Sequence, residues 1–249
     1  MKILLTGCCG FIGFNFVNSL VKTNKKIKIV GIDNLNNYYS VGLKKARLKI
    51  LLKSKNFTFQ KMDLENLKLL NDLFKKNKFD CIFHLAAQAG VRYSIKNPKK
   101  YIDSNIVGFF NIIELARKTN IKKIFYASSS SVYGDSKKFP LNEKTIINPK
   151  NTYGLTKKFN EELAEVYSNY YDINFVGLRF FTVYGEWGRP DMMILKYIEA
   201  SVKNKYFYLH NYGNHTRDFT YIEDVTEILN RLIYFNNQRK HEIFNICSN

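Results

Sequence analysis

Short apolar runs alternate with longer amphipathic stretches along most of the chain, which is the pattern of strands that alternate with helices. Runs of strand length are predicted at 2–6, 27–32, 57–61, 80–84, 122–128 and 173–179. Helical spacing of apolar positions fills the intervals at 11–23, 41–54, 64–77, 101–119 and 152–171. This alternation predicts an α/β fold, a doubly wound parallel sheet with helices on both of its faces.

The regular alternation stops near residue 180, after the sixth predicted strand. The segment 134–151, which contains one glycine and two prolines, is predicted to be a surface loop. The chain closes on 244–249, where the pattern is that of a strand and the start of a loop. We therefore expect a sheet domain over 1–179 and a smaller, incomplete substrate-facing region over 180–249.

The first predicted strand leads into a glycine-rich turn, Thr6-Gly-Cys-Cys-Gly-Phe-Ile-Gly13, that opens the first predicted helix. In this context Gly7 permits a tight turn, Gly10 lets the backbone approach a pyrophosphate, and Gly13 lets the helix pack on the strand. The second predicted strand ends beside Asp33, where an acidic side chain accepts hydrogen bonds from an adenosine ribose. These features predict an NAD site, because a carboxylate there repels the 2′-phosphate of NADP. An ordinary strand–turn–helix without a ligand is the alternative.

Tyr153 and Lys157 lie four residues apart at the start of a predicted helix, so they share one face of it. A cation near a phenol lowers the pKa of the tyrosine, as a general base requires. Tyr133 and Lys137 have the same spacing, but that tyrosine follows a strand and precedes a glycine turn. Ser129 lies in a serine run at the carboxyl end of a predicted strand, where open α/β sheets bind ligands. The run on its own is typical of a cap, but beside the tyrosine and lysine it predicts a catalytic site.

The composition narrows the class of protein without identifying a ligand. The net charge is +18, but the lysines are spread along the chain and form no basic block with interleaved aromatics. We expect no nucleic-acid partner and favour an anionic small-molecule substrate. No apolar stretch is long enough to span a bilayer, and the four cysteines have neither metal-ligand nor disulfide spacing. Reduced thiols, no metal, no membrane contact and a cytoplasmic location are the corresponding expectations.

Five motifs together resemble those of the extended short-chain dehydrogenase/reductases that act on nucleotide sugars. They are Thr6-Gly-x-x-Gly-x-x-Gly13, Asp63-Leu64, His84-Leu-Ala-Ala87, Ser128-Ser-Ser-Ser-Val-Tyr-Gly134 and Tyr153-x-x-x-Lys157. Longer stretches resemble the UDP-glucuronate 4-epimerase branch of this family. They are Asp33-Asn-Leu-Asn-Asn-Tyr-Tyr39, Ala86-Ala-Gln-Ala-Gly-Val-Arg-Tyr-Ser94, Leu178-Arg-Phe-Phe-Thr-Val-Tyr-Gly185, Trp187-Gly-Arg-Pro-Asp-Met192 and Arg217-Asp-Phe-Thr-Tyr-Ile222. The resemblance runs through the whole chain and implies a Rossmann domain that binds NAD.

The resemblance also implies a role for each matching residue. The cofactor-binding residues would be Gly7, Gly10 and Gly13 on the pyrophosphate, Asp33 on the ribose, and Asp63 with Leu64 beside the adenine. The catalytic residues would be Ser129, Tyr153 and Lys157, and Lys157 would also contact the nicotinamide ribose. The substrate-binding residues would be Ser130, Thr182, Arg189 and Arg217. Thr182 and Arg189 would lie near a sugar carboxylate, and Arg217 would bind the UDP diphosphate.

The implied activity is inversion of C4 in a UDP-sugar, UDP-glucuronate to UDP-galacturonate, through a 4-keto intermediate. Tyr153 would remove the C4 hydroxyl proton while hydride passes to NAD⁺ and later returns to the opposite face of the sugar. A carboxylate beta to a ketone loses carbon dioxide readily, and Thr182 with Arg189 would restrain that loss. Family members often pair through two helices, so a homodimer is expected.

Alternative functions remain within the same resemblance. A UDP-glucose 4-epimerase-like activity is one, although Thr182 stands where epimerases of neutral sugars usually carry asparagine. A 4,6-dehydratase is disfavoured, because Ser130 and Ser131 occupy the places of its Asp-Glu acid–base pair. Family members usually continue beyond the end of this sequence, so a truncated NAD-binding protein with little catalysis is another alternative. Glu186 stands where a proline is usual, beside the expected carboxylate site.

Overall fold

The computed structural model describes residues 1–136, 139–214 and 216–248. Seven strands in this part of the chain form one parallel sheet: β1 (Lys2–Thr6), β2 (Lys28–Asp33), β3 (Phe57–Lys61), β4 (Cys81–His84), β5 (Lys123–Ser129), β6 (Asn174–Phe180) and β9 (His241–Ile246). Their order is β3-β2-β1-β4-β5-β6-β9. A separate parallel pair consists of β7 (Thr182–Tyr184) and β8 (Phe219–Tyr221). The doubly wound α/β fold predicted from the sequence is confirmed.

Helices cover both faces of the sheet. They are α1 (Phe11–Thr23), α2 (Val41–Leu51), α3 (Leu67–Lys76), α4 (Val91–Lys96), α5 (Pro98–Tyr101), α6 (Gly108–Lys118), α7 (Thr152–Tyr170), α8 (Met193–Val202) and α9 (Ile222–Leu232). One apolar core includes Phe14 and Val17 of α1 together with Leu229 of α9. A second core includes Phe109 of α6 and Ala164 of α7. The sheet is therefore buried on both sides, which explains why its strands are nearly continuous apolar runs.

The single helix predicted over 101–119 is divided in the structure. It consists of α5, a π-helical segment Ile102–Val107, and then α6. Asn105 explains the wider turn: its Oδ1 accepts from the Gln88 amide at 2.8 Å, and its Nδ2 donates to the Gln88 carbonyl at 3.0 Å. The side chain also reaches Thr156 Oγ1 at 3.1 Å. These contacts are made with residues distant in sequence, so the local spacing of apolar residues does not predict the π-helical segment.

The later part of the chain returns to the sheet. Strand β9 pairs in parallel with β6, with Phe175 opposite His241 and Phe180 opposite Ile246, and α9 packs on α1. The region predicted over 180–249 thus contributes a strand to the sheet and a helix to one of its faces. The boundary placed at residue 180 stays a prediction.

The strand order reverses between β1 and β4, because successive strands are added outward on both sides from that point. The carboxyl ends of strands flanking such a reversal leave a crevice in which open α/β sheets bind ligands. In the described ranges we find no helix with the length and apolarity needed to cross a membrane.

Candidate active site

A cleft of about 2090 Å³ opens at the carboxyl ends of the sheet strands. The glycine turn, the serine run and Tyr153 line it, and so do the residues after β7. Every residue that the sequence predicts to bind cofactor or substrate or to act in catalysis lies along this one cleft. The position of each residue relative to a ligand stays a prediction.

The glycine turn has no room for side chains at two of its predicted positions. Gly7 adopts φ +75°, and a Cβ there would lie 2.7 Å from the Ala86 backbone nitrogen. A Cβ on Gly13 would lie 2.2 Å from the Gly7 carbonyl oxygen. Gly10 caps α1 without a side chain, so the first amides of the helix face the cleft uncovered. This cradle fits the pyrophosphate of a dinucleotide, which a helix N-terminus binds through its amides and its dipole.

Asp33 is held at the end of β2 by two backbone amides. Leu35 donates to Oδ1 at 2.8 Å, and Cys9 of the glycine turn donates to Oδ2 at 3.0 Å. Burial raises the pKa of this carboxyl, while the two amides and the Lys44 ammonium act in the opposite direction. A carboxylate fixed in this way beside the glycine turn fits the ribose of NAD.

We predict that the protein binds NAD more tightly than NADP and that Asp33→Asn narrows the ratio of the two dissociation constants by about tenfold. The carboxylate repels the 2′-phosphate, and one charge interaction of about 1.4 kcal/mol corresponds to that factor. Calorimetric titration of each cofactor measures both constants. Asp63→Asn is the matched control, because it removes the same charge elsewhere in the cleft and leaves the ratio unchanged. Tighter retention of NADP by the unaltered protein would contradict the prediction.

Asp63 and Leu64 follow β3 at the adenine end of the predicted cofactor path. Asp63 accepts hydrogen bonds from Asn34 Nδ2 at 3.1 Å and from the Glu65 amide at 3.2 Å. The carbonyl of Leu64 accepts from Asn111 Nδ2 at 2.8 Å, which ties this loop to α6. Both residues are therefore fixed before any ligand arrives.

Helix α7 begins close to the serine run and places Tyr153 there. Asn151 caps the helix by accepting from the Gly154 amide at 2.9 Å. A Cβ on Gly154 would lie 2.5 Å from the Ser131 carbonyl oxygen, so glycine permits the close approach. Burial raises the pKa of Tyr153, and a hydrogen bond with Ser129 opposes that rise, which indicates that Ser129 is the member of the run in contact with the phenol.

Lys157 lies one turn further along α7, fully buried, and its Nζ donates to the Ala127 carbonyl at 2.7 Å. Burial lowers the pKa of Lys157 to about 7, and the Glu161 carboxylate opposes that shift. Burial raises the pKa of Tyr153, and the groups that lower it are Ser129 and Arg189. The Lys157 ammonium is hydrogen-bonded to a strand carbonyl, and its expected effect on the phenol stays a prediction.

The competing Tyr-x-x-x-Lys match has a structural role at its tyrosine. The Tyr133 hydroxyl accepts from Arg179 Nη1 at 2.8 Å and contacts Asn245 Oδ1 at 2.7 Å. The side chain is buried, and its hydroxyl connects Arg179 of β6 with Asn245 of β9. Lys137 lies outside the described residues.

The predicted substrate residues line the cleft from separate parts of the chain. Ser130 begins a 3₁₀ turn, Ser130–Tyr133. Thr182 is the first residue of β7, and its amide donates to the Asp218 carbonyl at 3.2 Å. Arg217 is exposed, and its guanidinium donates to the Thr216 carbonyl at 2.7 Å. Glu186, named from the sequence for its charge, is exposed rather than inside the cleft.

Arg189 forms a bidentate pair with Asp191, through Nε at 3.0 Å and Nη2 at 2.5 Å. Tyr38 donates to the same carboxylate at 2.9 Å. Burial raises the pKa of Asp191, but Arg189 outweighs it and the pKa is lowered. Arg189 also lowers the pKa of Tyr153, so its charge reaches the predicted base. Tyr38 and Asp191 were not singled out by the sequence reasoning, since only folding joins them.

A buried network behind the catalytic residues was also missed. Glu161 and Arg179 form an ion pair with Nη2–Oε2 at 2.7 Å, and both side chains are only 4% exposed. Ser128, beside Ser129, donates to Glu161 at 2.5 Å. A local signal existed for Glu161, which lies four residues after Lys157 and so one turn along the same helix face. No local signal pairs it with Arg179.

Comparisons with known proteins agree with this geometry. The model of the "NAD dependent epimerase/dehydratase family" matches residues 3–247. Protein CapI of Staphylococcus aureus is 49% identical over 234 residues, which are 94% of this chain and 69% of that protein. UDP-glucuronate 4-epimerase 4 of Arabidopsis thaliana is 43% identical over 232 residues, 91% of this chain and 52% of that protein.

Solved structures of two sugar specificities are similar to this chain. UDP-glucuronic acid 4-epimerase from Bacillus cereus, in complex with UDP-glucuronic acid and NAD, has a TM-score of 0.92 at 34% identity, and the match covers 100% of this chain and 78% of that one. UDP-glucose 4-epimerase from Thermotoga maritima, with UDP-glucose, has a TM-score of 0.89 at 27% identity, covering 100% and 77%. Overall similarity therefore leaves the choice between the two sugars to individual residues of the cleft.

Proposed function

Because the chain belongs to the NAD-dependent epimerase/dehydratase family, we propose that it is a UDP-sugar 4-epimerase that interconverts UDP-glucuronate and UDP-galacturonate. NAD is the cofactor of this family, and the glycine cradle with Asp33 fits it. The observation that carries the choice of a uronate is the guanidinium of Arg189, which lines the cleft with 19% of its side chain exposed and acts electrostatically on Tyr153. Thr182 lines the same cleft.

The residues divide the chemistry between proton transfer and orientation. NAD, when bound, takes up hydride from C4 of the sugar and gives it back. Tyr153 accepts the proton of the C4 hydroxyl as the carbonyl forms and returns it when the alcohol is restored. Ser129 shares a hydrogen bond with the phenol and keeps that oxygen directed at the substrate. Inversion requires the 4-keto sugar to turn between the two steps.

Lys157 is proposed to act both through the strand that carries the serine run and through its charge. Its buried ammonium holds the Ala127 carbonyl at the end of β5, so it fixes the strand that carries the serine run. Because burial brings its pKa to about 7, the charge of Lys157 depends on Glu161 one turn away. A charged Lys157 adds positive potential near Tyr153 and so favours tyrosinate.

Arg189 and Thr182 are proposed to hold the sugar carboxylate. The pair with Asp191 uses Nε and Nη2 of Arg189, which leaves Nη1 outside that pair. A carboxylate gripped by a guanidinium and a hydroxyl is held away from the geometry in which carbon dioxide leaves a 4-keto uronate. UDP-glucose has no such group, so Arg189 discriminates between the two sugars.

The test is incubation with UDP-glucuronate, UDP-galacturonate and UDP-glucose in separate reactions, followed by chromatographic separation of the products. We expect the two uronates to interconvert and UDP-glucose to react at least about tenfold more slowly, in line with one lost charge-assisted contact. Faster conversion of UDP-glucose would favour the neutral-sugar alternative. NAD binding with no turnover of any of the three sugars would favour a cofactor-binding protein without epimerase activity.

We predict that Arg189→Ala lowers kcat/KM for UDP-glucuronate about tenfold more than for UDP-glucose. The reason is the loss of a charge-assisted contact that only the uronate makes, worth about 1.5–3 kcal/mol. Steady-state kinetics with both sugars measures the ratio. Asp191→Asn is the control, because it removes the partner of Arg189 while leaving the guanidinium for the substrate. Equal losses for both sugars would count against the proposed role.

We also propose that two copies of the chain pair through α6 and α7. These helices are neighbours, since Tyr167 of α7 donates to Glu114 of α6 at 3.2 Å. Their outer faces leave large apolar side chains exposed: Phe110, Leu155, Phe159, Val166 and Tyr170. In a homodimer with two-fold symmetry, which is the commonest kind, the apolar face of one copy would be buried against the same face of the other.

A further inference from the structure

Arg47 of α2 is completely buried, with 0% of its surface exposed. Its Nη1 donates to the Cys9 carbonyl at 2.9 Å and to the Tyr39 hydroxyl at 2.7 Å. Its Nη2 donates to the carbonyls of Trp187 at 2.5 Å and Gly188 at 3.2 Å. One guanidinium therefore joins the glycine turn, the loop after β2 and the loop after β7.

The way this charge is satisfied is unusual for a buried arginine. None of its four hydrogen-bond partners is a carboxylate, and Nε has no partner among the described residues. Removing a guanidinium from water costs several kcal/mol, which only well-formed hydrogen bonds offset. The three carbonyls in turn lose their donor if Arg47 is absent. The position therefore requires arginine, because the planar guanidinium can donate to all of these acceptors at once and a lysine ammonium cannot.

At one end, Arg47 is connected to the cofactor site. The Cys9 carbonyl lies in the glycine turn, between Gly7 and Gly10, and the Cys9 amide donates to Asp33 at 3.0 Å. The positive charge of Arg47 also acts to lower the pKa of Asp33. Loss of Arg47 would therefore loosen the glycine turn that holds Asp33 through the Cys9 amide.

At the other end, Arg47 is connected to the residues that precede Arg189. Trp187 adopts φ +60°, a left-handed conformation that is costly for a residue with a side chain. Gly188 closes the turn by donating to the Gly185 carbonyl at 3.1 Å. Because Arg47 donates to carbonyls in both turns, its hydrogen bonds are complete only when this turn and the glycine turn are both in place.

We propose that Arg47 is a positioning residue that makes the order of the substrate loop over 185–192 depend on occupation of the glycine turn by NAD. Binding of the cofactor fixes the Cys9 carbonyl, the fork of Arg47 then holds the Trp187 and Gly188 carbonyls, and Arg189 is presented to the sugar. Coupling of this kind is reciprocal, so order in the substrate loop also strengthens cofactor binding. The inference rests on the proposed NAD site but not on the identity of the sugar.

Hydrogen exchange of the full chain with and without NAD, in the absence of any sugar, tests the coupling. In the unaltered protein, NAD is expected to slow exchange in both the glycine turn and 185–192 by about fivefold or more. In Arg47→Lys, which keeps the charge and loses the fork, NAD slows exchange in the glycine turn but changes 185–192 by less than about twofold. Lys49→Gln, on the exposed face of the same helix, behaves like the unaltered protein.

Tyr39→Phe supplies a milder variant should Arg47→Lys fold poorly. It removes one acceptor from the same Nη1 and leaves the backbone carbonyls, so the NAD-dependent protection of 185–192 falls by about half. Equal protection of 185–192 in the unaltered protein and in both variants would overturn the inference. So would protection of the glycine turn alone in the unaltered protein. If NAD protects neither segment there, the proposed cofactor site itself is wrong.

Discussion

Replacing Tyr153 by phenylalanine is expected to lower epimerase turnover by about a thousandfold while NAD binding stays unchanged. A positioned general base typically contributes about 10²–10⁴ in rate, and phenylalanine keeps the ring while removing the proton acceptor. The ring itself packs edge-on against Tyr101 at 6.0 Å between centroids, a contact that the substitution preserves. The glycine turn and Asp33, which are proposed to hold the cofactor, lie elsewhere in the cleft, so we expect its affinity not to depend on the phenol.

Product formation from UDP-glucuronate and calorimetric titration of NAD together check this result. Tyr170→Phe is the matched control, because it removes a phenol from the same helix at a site that is 80% exposed. It should leave both quantities at their original values. Turnover by Tyr153→Phe at the original rate would exclude the phenol as the base, whichever sugar proves to be the substrate.

The sequence predicted most of the fold because the signals of a doubly wound sheet are local. Strands β1 and β3 begin and end where their apolar runs do, and α1 spans the range predicted from its helical spacing. The π-helical segment over 102–107 escaped prediction, since Asn105 forms it through contacts with Gln88 and Thr156. The parallel pairing of β9 with β6 likewise depends on residues more than sixty positions apart.

The candidate site shows the same division between local and distant signals. The glycine turn and the spacing of Tyr153 and Lys157 are written in single short segments, and the structure brings them to one cleft. The pKa shifts and the buried charge contacts of the site could not be predicted from the sequence in this way. Burial of Lys157 lowers its pKa to about 7, and burial is a property of the folded chain. Arg47 reaches the Trp187 carbonyl across 140 positions and the Cys9 carbonyl across 38, so no spacing rule could have identified it.

The buried ion pair behind the serine run leads to the largest expected effect on stability. Arg179→Gln is expected to lower the free energy of unfolding by about 3–5 kcal/mol, because it leaves the Glu161 carboxylate buried without its cation. Glu161 is only 4% exposed and would keep Ser128 as its hydrogen-bond donor. Urea denaturation of the variant and the unaltered protein measures the difference, with the slope of the transition as a check on two-state behaviour.

Two further variants test whether the loss of stability comes from breaking a buried ion pair or only from removing a positive charge. Arg231→Gln breaks the ion pair with Glu227, whose side chains are 78% and 61% exposed, and should cost less than about 1 kcal/mol. Combining Arg179→Gln with Glu161→Gln should recover part of the lost stability, because two neutral amides replace one unpaired charge. It should not recover turnover, since the double variant also removes the carboxylate that favours the charged form of Lys157. A loss below about 1 kcal/mol for Arg179→Gln alone would show that the pair contributes little to holding β5, β6 and α7 together.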